Sequence, residues 1–413
     1  NIAMKNFSLN NYTSIPACIW GLFLGTFVTR STSMMVWPFI SIILYTKFHF
    51  TASMIGLVLS LSIAISSILS FYAGYFSDKV GRAKIIIIGC LISSLAYLIL
   101  WLSEHQSGFI IGTLLANISW ALVNNPIKAV IGDIIEEKQV RENAMYLRYL
   151  FLNAGAVVGP YLGIKLSLDI NSISFLIVSV SYVIFMIPVY LFGKKIKINL
   201  TNNEDFKGTI KVLLNDRVFL MLVINNILMM FIFGHFDSTL PQLITSLGFN
   251  GYAEFIASLI MLHAITIVVM QLPFSMLTQK MALETKINIG SVLLILSECM
   301  FFISFKYYDV YLLWYMAAFT MSISQTILFP CVNVFIDRLA PNDLRGAYFG
   351  AASLYSIGFS ISPLVGGTII QLFDGGVLFQ LLAILSVLML VIFYRMFKLR
   401  DKHEINIRRS LKS

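Results

Sequence analysis

Long uncharged apolar stretches, separated by short charged turns, dominate this sequence; residues 218–233 and 377–394 are two examples. A helix needs about 20 apolar residues to cross the hydrocarbon core of a bilayer. Lipid offers no hydrogen-bond partner to a bare backbone, so such stretches must be helical unless they form a closed barrel. The alternation typical of barrel strands is absent here. The stretches therefore predict membrane-spanning helices.

The composition supports the same interpretation. Of the residues, 58% are hydrophobic and 12% are charged, whereas soluble domains carry about 25% charged residues. We predict an all-α membrane protein with twelve transmembrane helices, numbered as spans 1 to 12 from the amino terminus. The predicted spans are 17–44, 52–76, 83–102, 108–132, 144–166, 170–192, 218–246, 252–278, 286–305, 309–333, 345–371 and 376–397.

Basic residues indicate the orientation of these spans. If the amino terminus is cytoplasmic, all but six of the 29 Lys and Arg residues fall on the cytoplasmic side, and the excess of positive charge inside is the rule for membrane proteins. The six exceptions are Arg30, Lys47, Lys128, Arg148, Lys165 and Lys306. We therefore expect both termini in the cytoplasm of a multi-pass protein of the cell membrane. Richness in Ile, Lys and Asn is typical of bacteria.

Potential partners and cofactors follow from charge and cysteine usage. The net charge of +9 could suggest nucleic acid, but the basic tail 398–413 is better interpreted as a contact to lipid headgroups, so no nucleic-acid partner is expected. Cys18, Cys90, Cys299 and Cys331 have no metal-ligand spacing. We expect no metal and no cofactor, and a protein that acts as a monomer.

The two halves of the chain repeat each other. Eight residue pairs match in order at an offset of 201–204 residues: Pro38/Pro241, Lys79/Lys280, Gly89/Gly290, Pro126/Pro330, Asp133/Asp337, Arg141/Arg345, Pro160/Pro363 and Gly163/Gly366. Each half holds six spans, so the repeats are parallel, and a substrate site is expected at their interface. We predict two pseudo-symmetric six-helix bundles, 1–192 and 218–397, joined by a cytoplasmic linker, 193–217.

Two motifs show a resemblance to a known family. The turn after span 2 reads Gly74-x-x-x-Asp78-x-x-Gly81-Arg82-x-Lys84, and span 5 contains Gly155, Gly159, Pro160 and Gly163. Together they resemble the major facilitator superfamily, the second motif being similar to that of its drug:proton antiporter branch. That branch often carries an Arg in the middle of span 4, where this chain has Asn117, Asn124 and Asn125.

The resemblance implies roles for both motifs. Gly74, Asp78, Gly81, Arg82 and Arg345 would form a conformational latch that opens and closes during transport. A turn that only sets topology, with solvated charges, is the alternative. The span 5 glycines recur every four positions and can line one close-packed face. The resemblance implies that this face packs against span 8.

Charged residues inside the spans are expensive and need a partner or a function. We hypothesise that Asp237 in span 7 carries the coupling proton, that Arg30 in span 1 tunes its proton affinity, and that His235 and His263 assist. The alternative for Arg30 and Asp237 is a structural ion pair. Glu298 in span 9 aligns with Tyr97, and we interpret it as a structural residue because span 9 is peripheral in the family.

Soft apolar walls with scattered amides are predicted for the substrate cavity and suit a bulky amphipathic organic solute. The candidate cavity residues are Met34, Trp37, Trp120, Asn124, Asn125, Asn225, Asn226, Phe236, Gln271 and Gln325.

These features predict a secondary active transporter that works by alternating access and exports small amphipathic organic compounds in exchange for protons, as multidrug efflux proteins do. No G-x-x-x-x-G-K-[ST] loop is present, so direct use of ATP is not expected. The alternative within transport is an exporter or importer of a specific metabolite, lipid or siderophore. From other classes, a membrane enzyme would need a nucleophile–base or metal constellation, and a non-transporting sensor would be favoured by a soluble appendage.

Overall fold

The described part of the protein is helical throughout. A computed structural model describes residues 10–50, 52–165, 173–193, 206–248 and 251–410. The helices are α1 Asn10–Thr13, α2 Ala17–Thr46, α3 Ala52–Val80, α4 Arg82–Leu102, α5 Gln106–Ile134, α6 Lys138–Lys165, α7 Ser174–Gly193, α8 Phe206–Asn215, α9 Arg217–Ser246, α10 Tyr252–Leu277, α11 Leu283–Lys306, α12 Tyr311–Leu339, α13 Arg345–Ala352, α14 Ser356–Leu372 and α15 Gly375–Ser410. The all-α prediction is confirmed.

Ten membrane-capable segments occur among the described residues, each long and apolar enough to cross a bilayer. They correspond to predicted spans 2, 3, 4 and 6 to 12. Spans 1 and 5 coincide with the long helices α2 and α6, which are not among those ten. The twelve-span topology therefore stays a prediction.

The eleventh predicted span is divided. Residues 345–371 were expected to form one helix, but a single 3-10 turn, Ser353–Tyr355, separates α13 from α14. The Ser353 hydroxyl bonds back to the carbonyl oxygen of Phe349 at 3.0 Å and also donates to Asn125 Oδ1 at 2.9 Å. Serine back-bonding of this kind bends helices, and here it coincides with the break.

Two compact units can be distinguished. The first contains the described residues of Asn1–Thr209 together with Ile336–Ser353, and the second contains those of Ile210–Phe335 and Leu354–Ser413. In the first unit α4 packs on α5 and α7, α2 packs on α6, and α13 packs on α3. In the second unit α9 packs on α14 and α15, and α11 packs on α15.

Parts of the predicted linker and tail are helical. Residues 194–205 of the linker lie outside the described residues, but α8 occupies most of the remainder. Its Phe206 ring stacks on Tyr72 with the ring centroids 5.0 Å apart. At the other end of the chain, α15 continues to Ser410, beyond the predicted end of span 12 at residue 397.

Close approach of α14 to α9 depends on glycine in the second unit. A Cβ atom on Gly358 would collide with the backbone carbonyl oxygen of Ile227, and one on Gly366 would collide with the Thr239 side chain. By contrast, a Cβ on Gly367 would meet only Gln242 Oε1, at an ordinary distance of 3.6 Å. Gly358 and Gly366 therefore lie on the face of α14 that packs tightly against α9. Gly367 does not lie on that face.

This difference predicts opposite effects of the same substitution at two glycines of one helix. Gly358→Ala should lower the thermal unfolding temperature of the purified protein, because overpacking against rigid backbone costs about 1–3 kcal/mol. Gly367→Ala should leave it unchanged or raise it, since alanine favours a helix interior by roughly 0.5–1 kcal/mol. Thermal unfolding in detergent measures both variants. Equal stability of the two would contradict the packing described here.

Candidate functional site

The carboxylate of Asp78, at the end of α3, lies on the first turn of α13. It accepts backbone hydrogen bonds from Gly346 N–H at 2.8 Å and Ala347 N–H at 2.7 Å. The amide groups of a helix N-terminus have no partner within the helix and carry partial positive charge, so they bind anions. Asp78 therefore caps α13, although 268 and 269 residues separate it from those two residues in sequence.

Arg82 neutralises this carboxylate and connects it to α5. Its guanidinium forms an ion pair with Asp78 and donates to Ser77 Oγ at 2.8 Å and, through Nε, to Asp133 Oδ2 at 3.0 Å. Asp78 and Arg82 are only 5% and 6% exposed. Because both charges are buried, each depends on the other for compensation.

Arg345, the first residue of α13, joins two carboxylates. Its Nη1 lies 3.1 Å from Asp133 Oδ1 and its Nε lies 3.1 Å from Asp337 Oδ1. Arg141 Nε completes the chain at 2.6 Å from Asp337 Oδ2. Asp133 and Asp337 each bind two arginines, as a continuous network requires.

A sixth acid–base contact lies next to these residues in the sequence. Glu142, next to Arg141 on α6, forms an ion pair with Arg338, next to Asp337 on α12. The complete set, here called the charge cluster, contains four acids and four arginines: Asp78, Asp133, Glu142, Asp337, Arg82, Arg141, Arg338 and Arg345. Its formal charges cancel, which is a condition for burying it.

Glycine makes this arrangement sterically possible. A Cβ atom on Gly74 would collide with the Gly346 carbonyl oxygen, and one on Gly346 would collide with Ser77 Oγ and Arg82 Nη1. Gly81, between α3 and α4, has φ +110°, a value that side chains rarely allow. The glycines of the predicted latch thus permit close contact of α3 with α13 and the turn that brings Arg82 back to Asp78.

The structure changes the pairing expected from the sequence. The repeated residues predict two equivalent acid–base pairs, Asp133 with Arg141 and Asp337 with Arg345. Arg141 instead binds Asp337, and Arg345 binds both Asp133 and Asp337. The predicted contact of Asp337 with Arg345 is present, whereas the contact of Asp133 with Arg141 is replaced by contacts between the repeats. Glu142 and Arg338 were not predicted as members, since neither belongs to a recognised motif.

Arg30 lies on α2 within the first unit. Its Cζ is 4.8 Å from the centroid of the Trp120 ring, a cation–π distance. Its stem packs on the span 5 motif, because a Cβ on Gly155 would lie 2.9 Å from Arg30 Cβ. A Cβ on Gly159 would lie 2.6 Å from Met34 Cβ. Gly155 and Gly159 therefore face α2, and the packing against span 8 that the resemblance implies stays a prediction.

Two cations within the predicted spans are buried in the first unit. Lys128 and Arg148 are 6% and 4% exposed. Arg148 Nη2 donates to Asn124 Oδ1 at 2.6 Å. Asn125 donates to Ser70 and accepts from Ser353. The side chains of Asn124 and Asn125, both predicted to line the cavity, thus form hydrogen bonds inside their own unit.

The predicted coupling residues of the second unit differ in environment. Asp237 has an exposed side chain, and no basic side chain in the described part of its unit forms an ion pair with it. His235 is 3% exposed, with Nδ1 2.8 Å from Thr239 Oγ1. His263 Nδ1 lies 2.8 Å from Ser322 Oγ, and its ring centroid is 4.5 Å from that of Phe236.

The other cavity candidates of this unit are mostly buried. Asn225 is fully buried and donates to the Met389 carbonyl on α15 at 3.2 Å, which argues for a structural role. Asn226 and Gln271 are 1% and 0% exposed, whereas Gln325 is half-buried.

Trp37 on α2 is half-buried. Pro160 and Gly163 lie on α6, in a stretch whose side chains are outside the described part. The roles assigned to all these residues, and the pairing of Arg30 with Asp237, stay predictions.

Several known proteins are similar to this chain in sequence. The sequence is 27% identical over 383 residues to the uncharacterized MFS-type transporter YqjV of Bacillus subtilis, covering 92% of each chain. It is 25% identical to a Na(+), Li(+), K(+)/H(+) antiporter of Planococcus maritimus, covering 92% of this chain and 96% of the relative. Identity to Multidrug resistance protein 2 of Bacillus subtilis is 25%, covering 78% and 82%.

A solved structure has the same fold. The crystal structure of the human organic anion transporter MFSD10 (TETRAN) matches with a TM-score of 0.78 at 15% identity, covering 92% of this chain and all of that one. The family model of the Major Facilitator Superfamily matches residues 22–355. With its helices, its charge cluster and this match over most of its length, the chain belongs to the Major Facilitator Superfamily.

Proposed function

We propose that this protein is a secondary active transporter that works by alternating access and exports small amphipathic organic compounds in exchange for protons. The observation that carries the proposal is the charge cluster. It joins α3, α5 and α6 to α12 and α13 through ion pairs and two backbone hydrogen bonds. Such contacts can be broken and remade as a set, as a latch requires.

The substrate class is supported by the residues inside the spans and by two relatives. Met34, Trp37 and Trp120 are large, apolar or aromatic, and only half-buried, so they can offer a soft surface to an amphipathic solute. One relative is named a multidrug resistance protein and another a cation/H(+) antiporter. We extend export and proton exchange to this chain on that basis.

Coupling is assigned to Asp237 in this proposal. A carboxylate within a spanning helix is costly unless it has a function, and Asp237 has neither an ion pair in the described part of its unit nor a buried side chain. A carboxylate without a counter-charge can gain and lose a proton, which suits a coupling group.

The proposed function is tested by flux in liposomes with an imposed pH gradient. Purified protein should move fluorescent dyes or other amphipathic cations when the gradient is present and stop when a protonophore removes it. A panel that adds polar metabolites and lipids separates the proposed substrate class from the alternatives. Gradient-driven flux of a metabolite alone, with no dye transport, would overturn the assignment to amphipathic compounds.

Asp237→Asn should abolish gradient-driven flux while protein yield and thermal unfolding stay normal, because the amide cannot bind and release a proton. Asp309→Asn is the matched control, since Asp309 is exposed between α11 and α12. Downhill exchange of labelled substrate without a pH gradient should survive in both variants. Full gradient-driven flux in Asp237→Asn would contradict the coupling role.

Asp78→Asn should impair transport by disturbing the latch. Removing one partner of a buried ion pair costs about 3–5 kcal/mol, because it leaves the other charge uncompensated, and here Arg82 would be left with Asp133 alone. We expect slow flux both with and without a gradient, which distinguishes this variant from Asp237→Asn. Asp343→Asn, in the loop before α13, is the control. Wild-type flux in Asp78→Asn would show that the cluster has no part in the cycle.

A further inference from the structure

A small cavity inside the second unit has two polar side chains on an otherwise apolar wall. It lies among α9, α11, α12 and α15 and has room for about one water molecule. Eight of its ten lining residues are apolar, with Phe236, Phe301 and Phe379 among them. The other two are His235 and Glu298. A polar pair in so dry a setting calls for an explanation.

Each of the two has an atom without a hydrogen-bond partner. Glu298 is 1% exposed, and its Oε2 is buried with no partner in the described structure. His235 is 3% exposed, and its Nε2 is likewise without a partner, although Nδ1 contacts Thr239 Oγ1. The sequence interpretation of Glu298 as a satisfied structural residue is therefore not supported by its surroundings.

The chemistry of the two groups is complementary. An ionised carboxylate in an apolar cavity without a counter-charge costs several kcal/mol, so the neutral acid is the favoured form, and it carries one O–H donor. If Nδ1–H of His235 donates to Thr239, Nε2 presents a lone pair to the cavity. A single water molecule can accept from the acid and donate to this nitrogen, which satisfies both open positions.

We propose that Glu298 and His235 form a proton-binding site inside the second unit, in which Glu298 holds the proton and a water molecule relays it to His235. The site deepens the proposed function, because it supplies a second protonatable group beside Asp237. Its two side chains are buried, whereas the side chain of Asp237 lies at the surface of the unit.

A metal ion fits this cavity poorly. Hard cations are bound by several oxygen ligands, whereas the lining provides one carboxylate, one imidazole and apolar groups. Among the described residues, no three His, Cys, Asp or Glu side chains are grouped to hold a metal. A proton needs only one acid and one hydrogen-bond partner, and the cavity contains both.

Other titratable groups lie on the helices that line the cavity or pack against it. On α9, Asp237 follows His235 by two residues, a spacing at which helical side chains do not face each other. On α10, His263 bonds to Ser322 of α12, and the Phe236 ring packs against it. Lys286 on α11 precedes Glu298 by three turns, about 18 Å along the axis. The residues that α12 and α15 contribute to the cavity wall are apolar.

Infrared difference spectroscopy of the purified full-length protein, titrated with acid and base, tests the site directly. The wild type should show a carboxylic acid C=O band that shifts in deuterated water and is lost in Glu298→Gln. Glu254→Gln is the matched control, since Glu254 is exposed on the first turn of α10, and it should keep the band. A spectrum of Glu298→Gln that superimposes on the wild type would overturn the proposal.

Further measurements test the role of His235 and whether the site binds a proton or a metal ion. His235→Asn should move the frequency and the titration midpoint of the Glu298 band, whereas the exposed His105→Asn should not; an unmoved band would remove His235 from the site. A shift on adding sodium at constant pH would identify a metal site instead. If Glu298→Gln unfolds, Glu298→Asp should move the band while folding is checked by thermal unfolding, and an unmoved band would again overturn the proposal.

Failure of this inference and failure of the proposed function are distinguishable. Gradient-driven flux together with an unchanged band in Glu298→Gln would remove the site and leave the function. A band that depends on Glu298, in a protein without gradient-driven flux, would leave the site and remove the proton coupling.

Discussion

The contact of the Asp78 carboxylate with the amino end of α13 is the constraint on which the first unit depends. Two backbone N–H groups of a helix turn are satisfied by one side chain, and the negative charge that this requires is compensated by Arg82. A buried amide and a buried carboxylate each cost free energy when they have no hydrogen-bond partner. Because the Asp78 carboxylate and the α13 amides satisfy each other, the position of α13 is coupled to the ionisation of Asp78.

This coupling explains why the turn after α3 combines small residues with charges. The carboxylate reaches the α13 amides only if the backbones of α3 and α13 come close, and a side chain at Gly74 or Gly346 would prevent that. Arg82 reaches back to Asp78 only because Gly81 adopts a positive φ. The motif is thus a geometric requirement for one buried ion pair and one helix cap, in which each glycine has an identifiable steric role.

Hydropathy predicted the helices well, because the energetic penalty for an unpaired backbone in lipid leaves few alternatives. The break at Ser353 was missed, since serine in an apolar helix is common and its bond to Asn125 depends on tertiary structure. The contacts between the repeats, Arg141 with Asp337 and Arg345 with Asp133, were also missed. Internal repetition identifies equivalent residues, but equivalent residues can pair within a repeat or across it, and sequence offset does not distinguish these arrangements.

Glu298 shows the opposite limit. Its place on a peripheral span suggested a structural residue, yet a structural carboxylate in an apolar interior should have hydrogen bonds or a counter-charge, as Asp78 has both and Asp337 has arginines beside it. The cluster lowers the cost of buried charge by placing arginines against each of its acids. Glu298 forms no ion pair among the described residues, its Oε2 has no hydrogen-bond partner there, and it borders an apolar cavity, so the remaining way to lower the cost is to retain a proton. Acids paired with arginines stabilise one conformation, whereas an acid without a counter-charge changes its charge when water or a base reaches it. This difference in chemistry distinguishes the acids of the charge cluster from Glu298 more clearly than their positions in the sequence do.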